Sequence, residues 1–154
     1  MSSIAHIITG TAASPGIAIA KAYRLKNQNY IPTRTAVPDP KQEVSRFQEA
    51  VENARRELED IRDLTEQKMG SQKAEIFEAH MLLLEDPDLI DVILENISAE
   101  KINAEYALYE VSQGFIEMLM GMDNELLRER AADVRDVSGR IMGTCAARRM
   151  PEFP

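Results

Sequence analysis

The chain has 154 residues, 44% of them hydrophobic and 29% charged, which is the composition of a folded protein rather than a disordered one. Its 26 acidic and 18 basic residues give a net charge of −8, so nucleic acid is an unfavourable partner, because binding phosphates requires a basic surface. A single cysteine excludes an internal disulfide framework, and no apolar segment approaches the length of a membrane span. These features predict a cytoplasmic protein that does not contact a membrane.

The first part of the chain carries strand-like patterns. Isoleucines and other β-formers are interleaved with small residues over residues 4–8 and 17–23, and Pro15-Gly16 between them suits a tight turn. We therefore predict two short strands joined by a loop. Because a lone pair of strands is only marginally stable in water, we expect them to belong to a sheet that is completed elsewhere.

From residue 41 onward the pattern becomes helical. A stripe of apolar residues at alternating spacings of three and four predicts a helix over residues 41–68. Its members are Val44, Phe47, Val51, Ala54, Leu58 and Ile61. Asp39-Pro40 is typical of a helix start, and Gly70-Ser71 is expected to end the helix.

Four more helices are predicted after residue 70. The second covers residues 72–84, and Glu85-Asp86-Pro87-Asp88 separates it from a short third helix that extends to Ile97. The fourth begins at Asn103, and the fifth carries apolar residues from Leu127 to Ile141 and is expected to fade near Gly143. Amphipathic helices joined by short turns favour a mainly α fold with two antiparallel hairpins, similar to a four-helix bundle.

Catalytic and metal-binding patterns are weak in this sequence. His80 is not preceded by glutamate at the spacing that a helical metal site requires, since Phe77 stands three residues earlier, and His6 lies in a strand-like segment. Cys145 has no histidine near it in sequence, and the common phosphate-binding and nucleophile motifs are absent. We therefore predict no catalytic residue and no metal site, and we interpret His80 as a packed or partner-facing side chain.

Acidic residues are concentrated in one part of the chain. Residues 71–103 contain eight acidic side chains and two lysines, a net charge of −6, and they surround the run Leu82-Leu83-Leu84. Because a helix turns successive side chains in different directions, at least one of these leucines must point outward. One interpretation is a docking surface for a basic protein partner; the other is an ordinary hairpin apex whose leucines are all buried by neighbouring helices.

Three segments carry a family resemblance. They are TAASPGIAIAKA at residues 11–22, IFEAHMLLLEDP at residues 76–87 and ERAADVRDV at residues 129–137. In this order and spacing they resemble Enzyme I, the phosphoenolpyruvate–protein phosphotransferase of the bacterial sugar phosphotransferase system. The resemblance covers nearly the whole chain and indicates an N-terminal fragment of that enzyme.

The resemblance implies a division into three parts. Residues 1–34 would be the opening strands of an α/β phosphohistidine domain, residues 35–142 a helical domain that binds the carrier protein HPr, and residues 143–154 the start of the return into the α/β domain. The full-length enzyme would use phosphoenolpyruvate and magnesium to phosphorylate one of its histidines, pass the phosphoryl group to HPr, and form a homodimer through its C-terminal half.

The sequence departs from the family in one respect that matters for activity. The family's phosphorylated histidine lies in a Gly-Gly-x-x-Ser-His stretch, and this chain has no Gly-Gly pair. We therefore expect the chain to bind HPr without catalysing transfer and to hold no cofactor. The alternatives are an Enzyme I paralogue of the nitrogen or dihydroxyacetone-kinase branch, phosphorylation of His80 itself, and an unrelated structural or regulatory helical bundle.

By the resemblance, the HPr-facing residues come from the second helix, the break that follows it and the two later helices. They are Lys73, His80, Leu82, Leu83, Asp86, Asp88, Leu89, Gly114, Leu127 and Arg130. Gly114 would allow a close approach of the partner, and Ser112 and Leu126 are weaker candidates because the family varies at these positions.

Overall fold

A computed structural model describes residues 7–21 and 30–147 of the chain. The described part contains five α-helices, and their order along the sequence is the predicted one. The helices are α1 (Pro40–Met69), α2 (Ser71–Leu83), α3 (Ile90–Glu100), α4 (Ala104–Met120) and α5 (Glu125–Ala147). The predicted mainly α fold class is therefore confirmed.

Helix α1 begins and ends at the residues that the sequence indicated. The Asp39 carboxylate accepts hydrogen bonds from the backbone N–H groups of Lys41 (3.1 Å) and Gln42 (3.3 Å), and Pro40 occupies the first helical position. Gly70 ends the helix with φ of +90°, a backbone conformation that side-chain-bearing residues rarely adopt. The chain can therefore reverse within one residue and start α2.

The helices pack as two hairpins around one core. Helices α2 and α3 together return along α1, while α4 and α5 form the second hairpin, and α5 also packs against α1 and α2. The centre of the core is made of fully buried side chains from α1, α3, α4 and α5. These include Phe47, Leu58, Ile93, Ile97, Leu108, Val134 and Ile141.

A buried charge cluster joins the beginnings of α1 and α4 to the end of α5. The Arg46 guanidinium donates two hydrogen bonds to the Glu105 carboxylate (2.9 and 2.7 Å), one to the backbone oxygen of Cys145 (3.2 Å) and others to Glu43. Glu43 in turn accepts a hydrogen bond from the backbone N–H of Ala104 (2.8 Å). Burial opposes the Arg46 charge, but the hydrogen bonds that Arg46 donates to Glu105 and Glu43 outweigh burial, and the pKa of Arg46 is raised.

The predicted strands are not present in the part of the chain that is described. Residues 7–21 contain no strand, and Ile7, Ile8, Ile17 and Ile19 are each at least 90% exposed; residues 4–6 and 22–23 lie outside the described residues. The physical reason is that residues 7–21 and 30–147 provide no strand with which these isoleucines could pair. The strand prediction is therefore wrong for residues 7–8 and 17–21.

Two smaller differences concern the edges of the helical domain. Ala36 forms an isolated antiparallel bridge with Ile102, which ties the segment before α1 to the turn before α4. Helix α5 does not fade near Gly143 but continues to Ala147. The Thr144 hydroxyl donates a hydrogen bond to the backbone oxygen of Ala50 (3.0 Å), and this contact joins the extension to α1.

Candidate partner-docking site

The α2–α3 corner, defined as residues 80–89, comprises the last turn of α2 and a tight turn organised by Asp86. Its carboxylate accepts a hydrogen bond from the backbone N–H of Asp88 (3.0 Å), and its backbone oxygen accepts from the N–H groups of Leu89 (3.1 Å) and Ile90 (2.8 Å). Pro87 lies between these residues and disfavours helical backbone at Asp86. The predicted interruption between α2 and α3 is confirmed.

The leucines around this corner divide sharply between surface and core. Leu82 is 69% exposed, whereas Leu83 is 3%, Leu84 4% and Leu89 0% exposed. The expectation that one leucine of the run points outward is confirmed at Leu82. The expectation that Leu83 and Leu89 face a partner is wrong for this conformation, because both side chains pack into the helical core and support the corner from below.

An ion pair connects the corner to the first turns of α5. Arg130 donates a hydrogen bond from Nη2 to Asp86 Oδ2 at 2.8 Å; the Asp86 side chain is mostly buried and that of Arg130 is half exposed. Leu127 lies one turn earlier on α5 and is half-buried, and its neighbour Leu126 is 73% exposed. The contact therefore joins the exposed Leu82 region and the start of α5 in one surface.

His80 is placed differently from the expectation that it contacts a partner. It is 7% exposed, its Nε2 lies 3.1 Å from Asp133 Oδ1, and its ring packs edge-on against Phe77 with ring centroids 6.2 Å apart. The ionised carboxylate is only an acceptor, so Nε2 is the donor. Asp133 was not among the predicted site residues; its position three residues after Arg130, beside the buried stripe of α5, is the sequence signal that could have identified it.

The remaining predicted residues lie farther along their helices. Lys73 is exposed in the first turn of α2, at the opposite end of that helix from the corner, and Asp88 is exposed at the corner itself. Gly114 is exposed in the middle of α4, where an added Cβ would meet no heavy atom within 4 Å. Ser112 is buried, and its hydroxyl donates to the backbone oxygen of Leu108 at 2.6 Å.

A cleft of about 670 Å³ opens between α1, α2 and α5, and His80 is one of the residues that line it. Glu57 and Arg140 pair across it at 3.2 Å. Within residues 7–21 and 30–147, no group of three or more His, Cys, Asp and Glu side chains is arranged to hold a metal ion. The resemblance implies magnesium for the full-length enzyme and not for these residues.

Among the residues that the structure describes, none of the helices combines the length and the apolar character that crossing a membrane requires.

Comparison with known proteins identifies the family. A profile described as "PEP-utilising enzyme, N-terminal" matches residues 9–130, which is most of the chain. The chain belongs to this family. An unrelated helical bundle is thereby excluded, and together with the relatives and the solved structure of Enzyme I reported below the match confirms the resemblance to Enzyme I.

Curated relatives of this family member are phosphoenolpyruvate-protein phosphotransferases. The protein of that name from Bacillus sp. (strain S) is 50% identical over 135 residues, which cover 88% of this chain and 23% of the relative. The Bacillus subtilis (strain 168) protein is 46% identical over 136 residues, covering 88% of this chain and 24% of the relative. The chain thus spans about a quarter of the length of the curated relatives it matches.

Solved structures show the same helical arrangement. An NMR solution structure of Enzyme I matches with a TM-score of 0.71 and 30% identity, over 77% of this chain and 49% of that one. The N-terminal domain of a nitrogen-branch Enzyme 1 matches with a TM-score of 0.70 over 80% of this chain and 50% of that one. The identity to the second structure is 24%, so it supports the fold alone.

Proposed function

We propose that this chain is the HPr-docking part of a phosphoenolpyruvate–protein phosphotransferase, the general component of the sugar phosphotransferase system. The observation that supports this proposal best is the exposed Leu82 at the α2–α3 corner, which is joined by Asp86 and Arg130 to the exposed start of α5. Leu82 and Leu126 are both large exposed apolar side chains, one on each of the two segments that the ion pair joins, and exposed apolar surface of this kind is typical of an interaction site.

The charges around Leu82 favour a basic partner. Glu85 and Asp88 are exposed at the corner, and residues 71–103 carry a net charge of −6. In such an interface the apolar side chains contribute affinity when they are removed from water, while the surrounding charges raise the association rate and orient the partner. HPr would therefore present an apolar centre bordered by basic residues to this corner.

We propose that the residues that carry out phosphoryl transfer lie outside this chain. The full-length enzyme would act in the cytoplasm, use phosphoenolpyruvate and magnesium at a histidine that this chain does not contain, and dimerise through another part of its sequence. The 154 residues would bind the carrier and position it for transfer. The assignment follows the name of the relatives, phosphoenolpyruvate-protein phosphotransferase, which are 46–50% identical to this chain. An Enzyme I paralogue of the nitrogen branch is the alternative, since the structure of that name supports the fold alone.

Titration with HPr tests the docking proposal. Adding unlabelled HPr to ¹⁵N-labelled chain is expected to shift the amide resonances of residues 80–90 and 126–131, because both segments border the surface around Leu82. Residues 52–63 of α1 serve as the internal control and are expected to stay unchanged. Shifts confined to α1, or no shifts at high HPr concentration, would disprove docking at the corner.

Incubation with phosphoenolpyruvate and magnesium tests the proposed absence of chemistry in this chain. The mass of the chain is expected to stay unchanged, because His80 is buried and its Nε2 is engaged by Asp133. Intact-mass spectrometry under conditions that preserve phosphohistidine provides the measurement. An increase by one phosphoryl group that disappears in His80→Gln would show that His80 is an acceptor.

A further inference from the structure

Two polar contacts tie the α2–α3 corner to α5, and they lie on either side of Leu82 in sequence. His80 lies two residues before Leu82 and contacts Asp133. Asp86 lies four residues after Leu82 and contacts Arg130. Asp133 and Arg130 are three residues apart and thus neighbours on the surface of α5. The two contacts are therefore adjacent, and both join the α2–α3 corner to α5.

The two contacts differ in how far they are exposed to water. Arg130 is half exposed, so its ion pair with Asp86 is weakened by water and contributes little rigidity. The His80 side chain is 8% exposed and packs against Phe77, so its hydrogen bond to Asp133 lies in a setting where breaking it leaves a buried polar group without a partner. The buried contact between His80 and Asp133 is therefore the one that can fix how α2 is rotated against α5.

We infer that the His80–Asp133 hydrogen bond positions the α2–α3 corner so that Leu82 and Arg130 are presented together to a docked protein. The inference rests on the proposed docking function. His80 is then a positioning residue, not a contact residue, and Asp133 is its partner in that role. The direction of Leu82 depends on this hydrogen bond because Leu82 lies half a turn beyond His80 on the same helix.

Substitutions of the pair test this role in the full 154-residue chain. His80→Phe keeps an aromatic ring but removes the donor, and Asp133→Ala removes the acceptor at a position that is only partly buried. Each is expected to weaken HPr binding about fivefold, the equivalent of one hydrogen bond. The double variant is expected to bind no more weakly than either single variant, because both lose the same contact.

A conservative replacement separates positioning from simple packing. His80→Gln places an amide N–H near the position of the ring Nε2 and is expected to restore most of the affinity lost in His80→Phe. Arg34→Gln removes another contact between distant segments, the ion pair with Glu100, and is the matched control with unchanged HPr affinity. If His80→Gln binds as weakly as His80→Phe, or if the two single losses add, the hydrogen bond has no positioning role.

Hydrogen exchange tests the same inference without a partner. The amides of Leu84, Asp86 and Leu89 are hydrogen-bonded within the corner, and in His80→Phe and Asp133→Ala they are expected to exchange faster than in the parent chain, while amides of α4 do not change. Unchanged corner exchange would overturn the inference whether or not HPr binds. Absence of HPr binding by the parent chain would disprove the docking proposal alone.

Discussion

Replacing Arg46 with methionine is expected to lower the free energy of unfolding by about 3–5 kcal/mol, the usual cost of removing one partner from a buried ion pair. Arg46 supplies the positive charge between Glu43 and Glu105, of which Glu105 is 2% exposed. Without the guanidinium, two carboxylates remain close together in a region with little water, and like charges there repel strongly. Methionine retains the apolar part of the side chain, so the loss reports on charge rather than on volume.

The position of Arg46 also explains why the loss of stability is expected to involve the whole helical domain. The guanidinium contacts residues near the start of α1, the start of α4 and the end of α5, so one side chain links three helices. Urea unfolding followed by circular dichroism measures the effect. Arg56→Met on the exposed face of α1 is the matched control and should change stability by less than about 0.5 kcal/mol. A similar small loss at Arg46 would contradict the cluster's proposed contribution.

The helices were predictable because their signals are local and repeated. The stripe from Val44 to Ile61 and the Asp39-Pro40 start define α1, and the interruption at Pro87 separates α2 from α3. The strand signals failed because a strand is stable only when other strands pair with it, and residues 7–21 have none within the described structure. Local patterns therefore predict helices better than they predict sheets in this chain.

The presence of an exposed leucine in the candidate site was predictable, but which leucine it is was not. The acidic leucine-rich segment and the resemblance both pointed to residues 82–89, and the structure places an exposed leucine there. The sequence alone could not decide which leucine is exposed, because that depends on where α2 ends and how α5 crosses it. The same crossing brings Asp133 to His80 from 53 residues away, a contact that no local pattern records.

Substituting Leu82 with arginine is expected to weaken HPr binding by about 30-fold, or about 2 kcal/mol, since that is the typical contribution of a large apolar side chain at the centre of an interface. Leu82 is 69% exposed in the free chain, so a docked partner would remove most of its surface from water. The added positive charge also opposes a basic partner and should lower the association rate. Isothermal titration with HPr measures the affinity, and stopped-flow mixing at two salt concentrations measures the rate.

Leu64→Arg is the matched control for this substitution, because Leu64 is a half-exposed leucine on α1 and the change adds the same charge away from the corner. Both variants should unfold at nearly the parent denaturant concentration, since surface substitutions usually alter stability by less than about 0.5 kcal/mol. Leu83 is unsuitable for this test because its buried side chain belongs to the core, where arginine would unfold the chain. Equal affinities of the Leu82 and Leu64 variants would remove Leu82 from the docking surface, whereas a loss confined to the Leu82 variant would locate HPr at the α2–α3 corner.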